Sequence, residues 1–293
     1  MEGPLQLNLT EIIETRAGKR GKWIPRFLLR GLERVIRQDG LNELLRIAYP
    51  AEGAEFCDKI LEHLDIEVQV SGLADYGAPV VFASNHPLGG LDGIALVKVL
   101  GHHLGDDNLK VMVNDLLMNV TPLAGVFLPT NKFGKKGARE SSRLLTEALD
   151  SGKNVVMFAA GLVSRLCKPI ESTVALEGNP GNRIRDLEWR KTFVSKALEH
   201  NRLIVPIRFE ALNSMKFYRT AKVRKRLGIK VNIEQALLPA EIFKSRGKKF
   251  KITFLPPVDV TKLAEEGKKP QEIAEIIYKM VYGIKKHEPL GTS

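Results

Sequence analysis

The stretch that decides the fold is Ala83-Ser84-Asn85-His86-Pro87-Leu88-Gly89-Gly90-Leu91-Asp92-Gly93, preceded by Val80-Val81-Phe82. A short β-branched and aromatic run reads as a buried strand. The glycines that follow read as a tight turn, and Leu91 onward reads as a helix. A strand running through a glycine turn into a helix is the unit from which α/β folds are built, and its end is where such folds place ligands. Similar apolar runs recur outward from it. Strands are expected over residues 66–70, 79–83, 110–113, 126–128, 154–158, 203–209, 229–233 and 250–254. Helical patterns lie between them over 91–100, 138–149, 187–198 and 215–226, and a strong helix closes the chain from Pro270 through Ile284. The expected fold is α/β: a mainly parallel mixed sheet flanked by helices, with an N-terminal helical region. Residues 1–65 form that region and 66–293 the α/β domain.

Within the turn, His86 and Asp92 are the groups able to move a proton. A carboxylate six positions on can accept the Nδ1 proton, holding the ring so that Nε2 faces a substrate hydroxyl. Gly89 and Gly90 let the chain fold back far enough for Asp92 to reach the ring. The pair alone is a weak signal, and a glycine-rich turn with a hydrogen-bonded histidine is its bland reading. The whole string at a strand–helix junction is far more specific. No G-x-S-x-G setting appears, so the attacking hydroxyl belongs to the substrate rather than to an enzyme serine. No HExxH or Cys/His cluster signals a metal. No bound cofactor is expected.

Composition narrows the class. The chain has 293 residues, 44% apolar and 27% charged, which excludes wholesale disorder. Its longest apolar run, residues 155–163, is half of what a bilayer span needs. Glu2, Glu11 and Glu14 precede the first cation, which is no secretory pattern. Cys57 and Cys167 form no framework, so a cytoplasmic, reducing setting is expected.

The net charge of +11 is concentrated in two segments. Residues 213–256 hold twelve cations against Glu234 and Glu241, and residues 16–37 hold eight against Glu33. Such segments face polyanions: anionic lipid, nucleic acid or an acidic carrier protein. Nucleic acid is the weakest fit, because few aromatic residues interleave with the cations and no helix-turn-helix, zinc or RNP pattern appears. Residues 22–37 read as an amphipathic helix, with Ile24, Phe27, Leu28, Leu32, Val35 and Ile36 opposite Arg26, Arg30, Arg34 and Arg37 and Trp23 at its start. It either packs on the core or lies in a membrane interface with its arginines on lipid phosphates. Lys222, Arg224, Lys225 and Arg226 likewise form a solvated helix face or a dock for anionic lipid or carrier protein.

The string 85–92 resembles the N-H-x4-D motif of the glycerolipid acyltransferase superfamily, which includes lysophosphatidic acid acyltransferases. Gly125-Val126-Phe127-Leu128 stands at that family's second block, Val155 through Gly161 at its third, and Ile204-Val205-Pro206-Ile207 at its fourth. The N-H-P-x-G-G-L-D-G string, the A-G-x-V-S-R form of the third block and Asp186-Leu187-Glu188-Trp189-Arg190-Lys191 look like a hemolysin-like bacterial subgroup. Relatives of that subgroup work on ornithine or glycine aminolipids. The resemblance implies that His86 takes the proton of a lyso-lipid hydroxyl and Asp92 orients it. The hydroxyl then attacks the thioester of acyl carrier protein or acyl-CoA. N–H groups near Gly89, Gly90 or Gly161 are the candidate oxyanion donors. Asn85, Gly89, Gly90, Gly161, Ser164 and Arg165 fall in the matched blocks as substrate-binding candidates.

This chain departs from the family pattern in ways that bear on the acceptor. The His–Asp spacing is one residue longer, with Leu91 where the family has Asp. The second block lacks its arginine and offers Lys132, Lys135 and Lys136. The third block has Ala160 for Glu and Val163 for Arg, with Arg165 two positions on. Lysines cannot reproduce the bidentate fork of an arginine on phosphate. Either the acceptor is not ordinary lysophosphatidic acid, a carboxylate-bearing lyso-aminolipid being attractive, or Lys132, Lys135, Lys136 and Arg165 grip it differently. The alternatives are a lysophosphatidic acid acyltransferase and a non-catalytic lipid- or nucleic-acid-binding protein. The enzyme is expected on the inner face of the cytoplasmic membrane, attached peripherally.

Overall fold

The computed structural model describes residues 3–8, 26–114, 117–130, 134–175, 178–229 and 232–284. Three helices come first: α1 (Arg26–Ile36), α2 (Gln38–Ala48) and α3 (Gly53–His63). Then follow β1 (Glu67–Ser71), β2 (Val81–Ser84), α4 (Gly90–Leu104), β3 (Leu109–Val113), β4 (Phe127–Pro129), α5 (Gly134–Asp150) and β5 (Asn154–Phe158). A small hairpin, β6 (Arg165–Leu166) and β7 (Ile184–Arg185), precedes α6 (Thr192–Glu199), β8 (Ile204–Glu210) and α7 (Met215–Arg226). The chain continues through a 3-10 turn (Ile233–Leu237), α8 (Leu238–Lys244), β9 (Lys249–Phe254), α9 (Val260–Glu265) and α10 (Pro270–Tyr282).

Seven strands form one sheet in the order β1-β9-β8-β2-β5-β3-β4. All neighbours are parallel except β8 and β9, so β9 and β1 run against the other five. The fold is thus the expected α/β class, a mainly parallel mixed sheet between helical layers. Period-two alternation feeds both layers. From β2, Phe82 points into a core shared with Leu45, Ile60, Leu61 and Leu96 of α2, α3 and α4. Its neighbours Val81 and Ala83 point the other way, toward Leu145, Phe193, Ile273 and Ile277 of α5, α6 and α10. Residues 44–64 share the first of these cores with the sheet, so the hydrophobic core runs across residue 65. Pro206 sits inside β8, where a missing N–H would break a ladder. Its carbonyl faces Leu255, just past the end of β9, so its nitrogen also lies beyond that ladder.

The structure differs from the expected elements at particular places. No strand occupies 229–233 among its described residues: Ile229 and Ile233 are exposed, and Ile233 opens the 3-10 turn. The helix expected from 187 starts at Thr192, because Asp186 is tied down by long-range hydrogen bonds that keep this segment out of the helix. The β6–β7 hairpin, α8 and α9 are additional. Helix α1 ends where expected: Arg37 adopts a left-handed φ of 57° and lays its guanidinium over Phe243 of α8. Leu29 is buried, Val35 is exposed, and α1 packs against α8 and the 3-10 turn. Both cysteines are free and buried. Among the described residues, no helix is long and apolar enough to cross a membrane.

Candidate active site

At the end of β2, residues 81–93 are buried apart from two, His86 and Gly90. Whatever reaches this turn from outside meets those two. Gly89 makes the turn: its φ of +96° is a conformation an L side chain rarely adopts, and a Cβ there would meet Leu238 at 3.1 Å. Helix α4 then starts at Gly90, which brings Asp92 back beneath the histidine.

The Asp92 carboxylate is fully buried and has a double task. Its Oδ2 lies 2.7 Å from His86 Nδ1. It also accepts the N–H groups of Leu88 at 2.9 Å and of the N-cap Gly89 at 3.3 Å, just before the helix starts. Burial pushes the Asp92 carboxyl upward, while the His86 ring and those two N–H groups pull it back. With Nδ1 donating to Asp92, Nε2 carries the free lone pair. The ring stacks on Phe158 at the end of β5, centroids 4.2 Å apart and 30° between planes, and its side chain remains 18% exposed. The imidazole is therefore held in one orientation and partly open to the outside, an arrangement of the kind that general-base chemistry uses.

A second buried carboxylate holds the backbone around this ring. Asp186 Oδ1 accepts from His86 N–H at 3.2 Å and from the Ser164 hydroxyl at 2.6 Å, and its Oδ2 accepts from Trp189 Nε1 at 2.9 Å. Ser164 N–H donates to the His86 carbonyl at 2.8 Å. Tyr278 donates its hydroxyl proton to the Asp186 carbonyl, and Tyr282 Oη accepts the Asp186 N–H. Burial raises the Asp186 carboxyl, and its hydrogen-bond donors oppose that. On the other flank, Asn213 donates to the carbonyls of Pro87 and Leu88. The turn is pinned from three distant parts of the chain.

Several residues expected at the substrate are occupied elsewhere. Asn85 is buried, and its amide closes both hydrogen bonds on the backbone of Phe209, so it staples β2 to β8. The Gly161 N–H donates to the Phe158 carbonyl, which takes it out of the oxyanion role. Ser164 lies behind the turn on Asp186. Arg165 is buried and pairs with Glu234 at 2.8 Å, while also donating to the Val163 and Ser164 carbonyls. It is a packing cation, and burial lowers its pKa. Arg224 is not a docking cation either: its Nε lies 2.8 Å from the other oxygen of Glu234, off the hydrogen-bond line, so a buried carboxylate stands between two arginines. Lys222, Lys225 and Arg226 are exposed on α7, and Arg30 is exposed on α1. Trp23 and Lys132 lie outside the described residues, as do the side chains of Arg26, Phe27, Lys135 and Lys136.

Gly89 and Gly90 remain at the turn. The Gly89 N–H is used by Asp92, whereas Gly90 is the first residue of α4, whose N–H has no partner within the helix by construction. Replacing Gly89 with alanine is expected to cost about 1–3 kcal/mol of stability, through the strained φ and the contact with Leu238. Urea denaturation measures it, and an unchanged midpoint would show that the turn relaxes freely.

Sequence reading missed Asp186 as an anchor, Phe158 as the stacking partner, and Asn213 and Glu234 as supports. Asp186 lies 100 positions from His86, and no spacing rule links them. Its one signal is the unusual string from Asp186 to Lys191. Among the described residues, no group of three or more His, Cys, Asp or Glu side chains is placed to hold a metal ion.

A histidine–aspartate pair at the carboxyl end of a parallel strand, in a sheet of this order, accompanies a family match that covers nearly the whole chain. Residues 11–290 match the family model described as acyltransferase, and the chain belongs to that family; it is an acyltransferase. Among its relatives is a lyso-glycine lipid O-acyltransferase of Phocaeicola vulgatus, 37% identical over 278 residues and 94% of each chain. Another lyso-glycine lipid O-acyltransferase, of Bacteroides thetaiotaomicron, is 38% identical across 94% of this chain and 96% of that one. A crystal structure of the 1-acyl-sn-glycerophosphate (LPA) acyltransferase of Thermotoga maritima aligns over 89% of this chain and 95% of that one, with 12% identity and a TM-score of 0.39.

Proposed function

We propose that this acyltransferase moves a fatty acyl group from the thioester of acyl carrier protein or acyl-CoA to the hydroxyl of a lyso-aminolipid, a lyso-glycine lipid being the first candidate. The observation that carries the reading is the His86–Asp92 contact of 2.7 Å beneath an otherwise closed turn. His86 Nε2 takes the proton of the acceptor hydroxyl as its oxygen attacks the thioester carbon. A C–O bond forms, and the carbonyl electrons move to oxygen, where the Gly90 N–H at the positive end of α4 is a candidate donor. Collapse of the tetrahedral intermediate breaks the C–S bond, and the proton passes from His86 to the departing thiolate. Asp92 stays ionised and stabilises the imidazolium between the two transfers.

The acceptor follows from chemistry and relationship together. The guanidinium that stands near the family's phosphate-binding position, Arg165, is committed to Glu234, which argues against a grip on a phosphate monoester. Two relatives covering 94% of this chain bear the name of a glycine lipid acceptor. The enzyme works peripherally on the inner face of the cytoplasmic membrane, where a lyso-lipid and a soluble thioester meet. The test supplies purified enzyme with acyl carrier protein or acyl-CoA thioester and, in parallel, lyso-glycine lipid or lysophosphatidic acid, both dispersed in detergent. Acylated glycine lipid is expected to form at least about tenfold faster, the discrimination that one lost charged contact supplies. A preference for the phosphate acceptor, or thioester hydrolysis without transfer, overturns the reading.

A further inference from the structure

Helix α7 carries a feature that the chemistry above does not use. Val223, Leu227, Ile229 and Ile233 line a groove of about 400 Å³ together with Lys216 and Arg219. These four aliphatic residues are 56%, 68%, 39% and 49% exposed. Scattered exposed apolar residues need no explanation, but four that share one groove form a patch. Between Glu210 and Glu234 the chain holds seven cations and no acid. Arg224 is neutralised by Glu234, whereas Lys222 and Arg226 are exposed on the same helix.

From these we infer that the α7 groove is the surface on which the enzyme docks to an anionic bilayer, its four aliphatic side chains entering the acyl boundary and its cations meeting lipid phosphates. Hydrocarbon is the partner that an exposed aliphatic groove satisfies, and negative headgroups are the partner of the cations on its helix. Nucleic acid fits poorly, because the aromatic residues of this segment, Phe217 and Tyr218, are buried and cannot stack on bases. A chain of contacts links the groove to the His86 turn. Arg224 contacts Glu234, Glu234 contacts Arg165, and the neighbouring Ser164 N–H holds the His86 carbonyl. Docking there keeps a bilayer-borne acceptor near the imidazole. The inference rests on the lipid-acceptor reading and adds the place where the lipid surface lies.

The experiment sediments the full chain with vesicles of phosphatidylcholine alone, and of phosphatidylcholine mixed equally with phosphatidylglycerol, at low and high salt. Wild type is expected to pellet with the anionic vesicles at low salt and to be released by high salt. Two pairs of substitutions separate the contributions. Val223→Ser with Leu227→Ser is expected to lower partitioning at least about tenfold. Lys222→Glu with Arg226→Glu is expected to lower it by about a hundredfold or more. Unchanged melting temperatures certify folding of both exposed-residue variants. Wild type that ignores anionic vesicles, or either pair binding as wild type does, overturns the assignment. So does binding of an acidic acyl carrier protein, but not of vesicles, through these residues. Transfer to detergent-dispersed acceptor reports on His86 independently, so the two readings can fail separately.

Discussion

Replacing His86 with alanine is expected to lower acyl transfer by about 10²–10⁴-fold, the span that a positioned general base contributes. The loss should fall on kcat rather than on KM, because the ring acts on the hydroxyl proton and not on the lipid chains. Asp92 then loses one partner but retains the N–H groups of Leu88 and Gly89, so the turn keeps its cap. Asp92→Asn supplies the finer test. If the asparagine carbonyl takes the place of Oδ1 and keeps the Leu88 N–H, its amide group takes the place of Oδ2 and faces Nδ1. The ring must then accept there and carry its proton on Nε2, the nitrogen that should receive one. A rate loss of about a hundredfold or more is expected from the wrong tautomer alone. Free-thiol release, followed alongside acylated product, measures both. A His86→Ala enzyme that keeps more than a tenth of the wild-type kcat would remove the base assignment.

Removal of Glu234 should give the largest stability effect outside the cores. Its carboxylate is buried between Arg165 and Arg224, whose side chains are themselves only slightly exposed. Glu234→Ala leaves two cations facing each other with no counter-charge, a change that typically costs about 3–5 kcal/mol. Against the roughly 5–15 kcal/mol that holds a domain together, this is a large fraction. Urea denaturation measures it as a fall in midpoint without a change in slope. Glu234→Gln keeps the shape while deleting the charge and should lose most of the same amount. Replacing all three members with apolar residues of similar volume should recover most of the loss, since desolvation offsets much of what a buried ion pair gains. A loss below about 1 kcal/mol for Glu234→Ala would mean that water reaches the arginines. The network also bears on catalysis, because Arg165 follows Ser164, whose hydroxyl and N–H fix Asp186 and His86.

The residues that failed sequence reading share a physical cause. Apolar periodicity reports that side chains avoid water, but not what covers them. For 154–158 the expected and observed strands coincide, because those residues are almost wholly buried in mid-sheet. The same kind of run at 229–233 stays outside the sheet and helps line a solvent-exposed groove. Cations pose the parallel problem. Arg165 and Arg224 read as available for lipid, yet both are consumed by Glu234, which is 69 positions from Arg165. Asn85 read as a substrate contact because of its neighbour, whereas its amide is spent on the Phe209 backbone.

The sequence by itself determined what is local: a buried strand, a glycine turn that only Gly89 can make, and a carboxylate one helical turn away, close enough to reach the imidazole. Those follow from backbone sterics and short-range spacing, which sequence order preserves. Tertiary structure alone decided which charges are consumed in the interior and what holds the His86 turn still. Asp186, Asn213, Phe158 and Glu234 reach the turn and its supports from distant segments, and which of them meet depends on how the sheet stacks its strands, an order that the linear chain does not display.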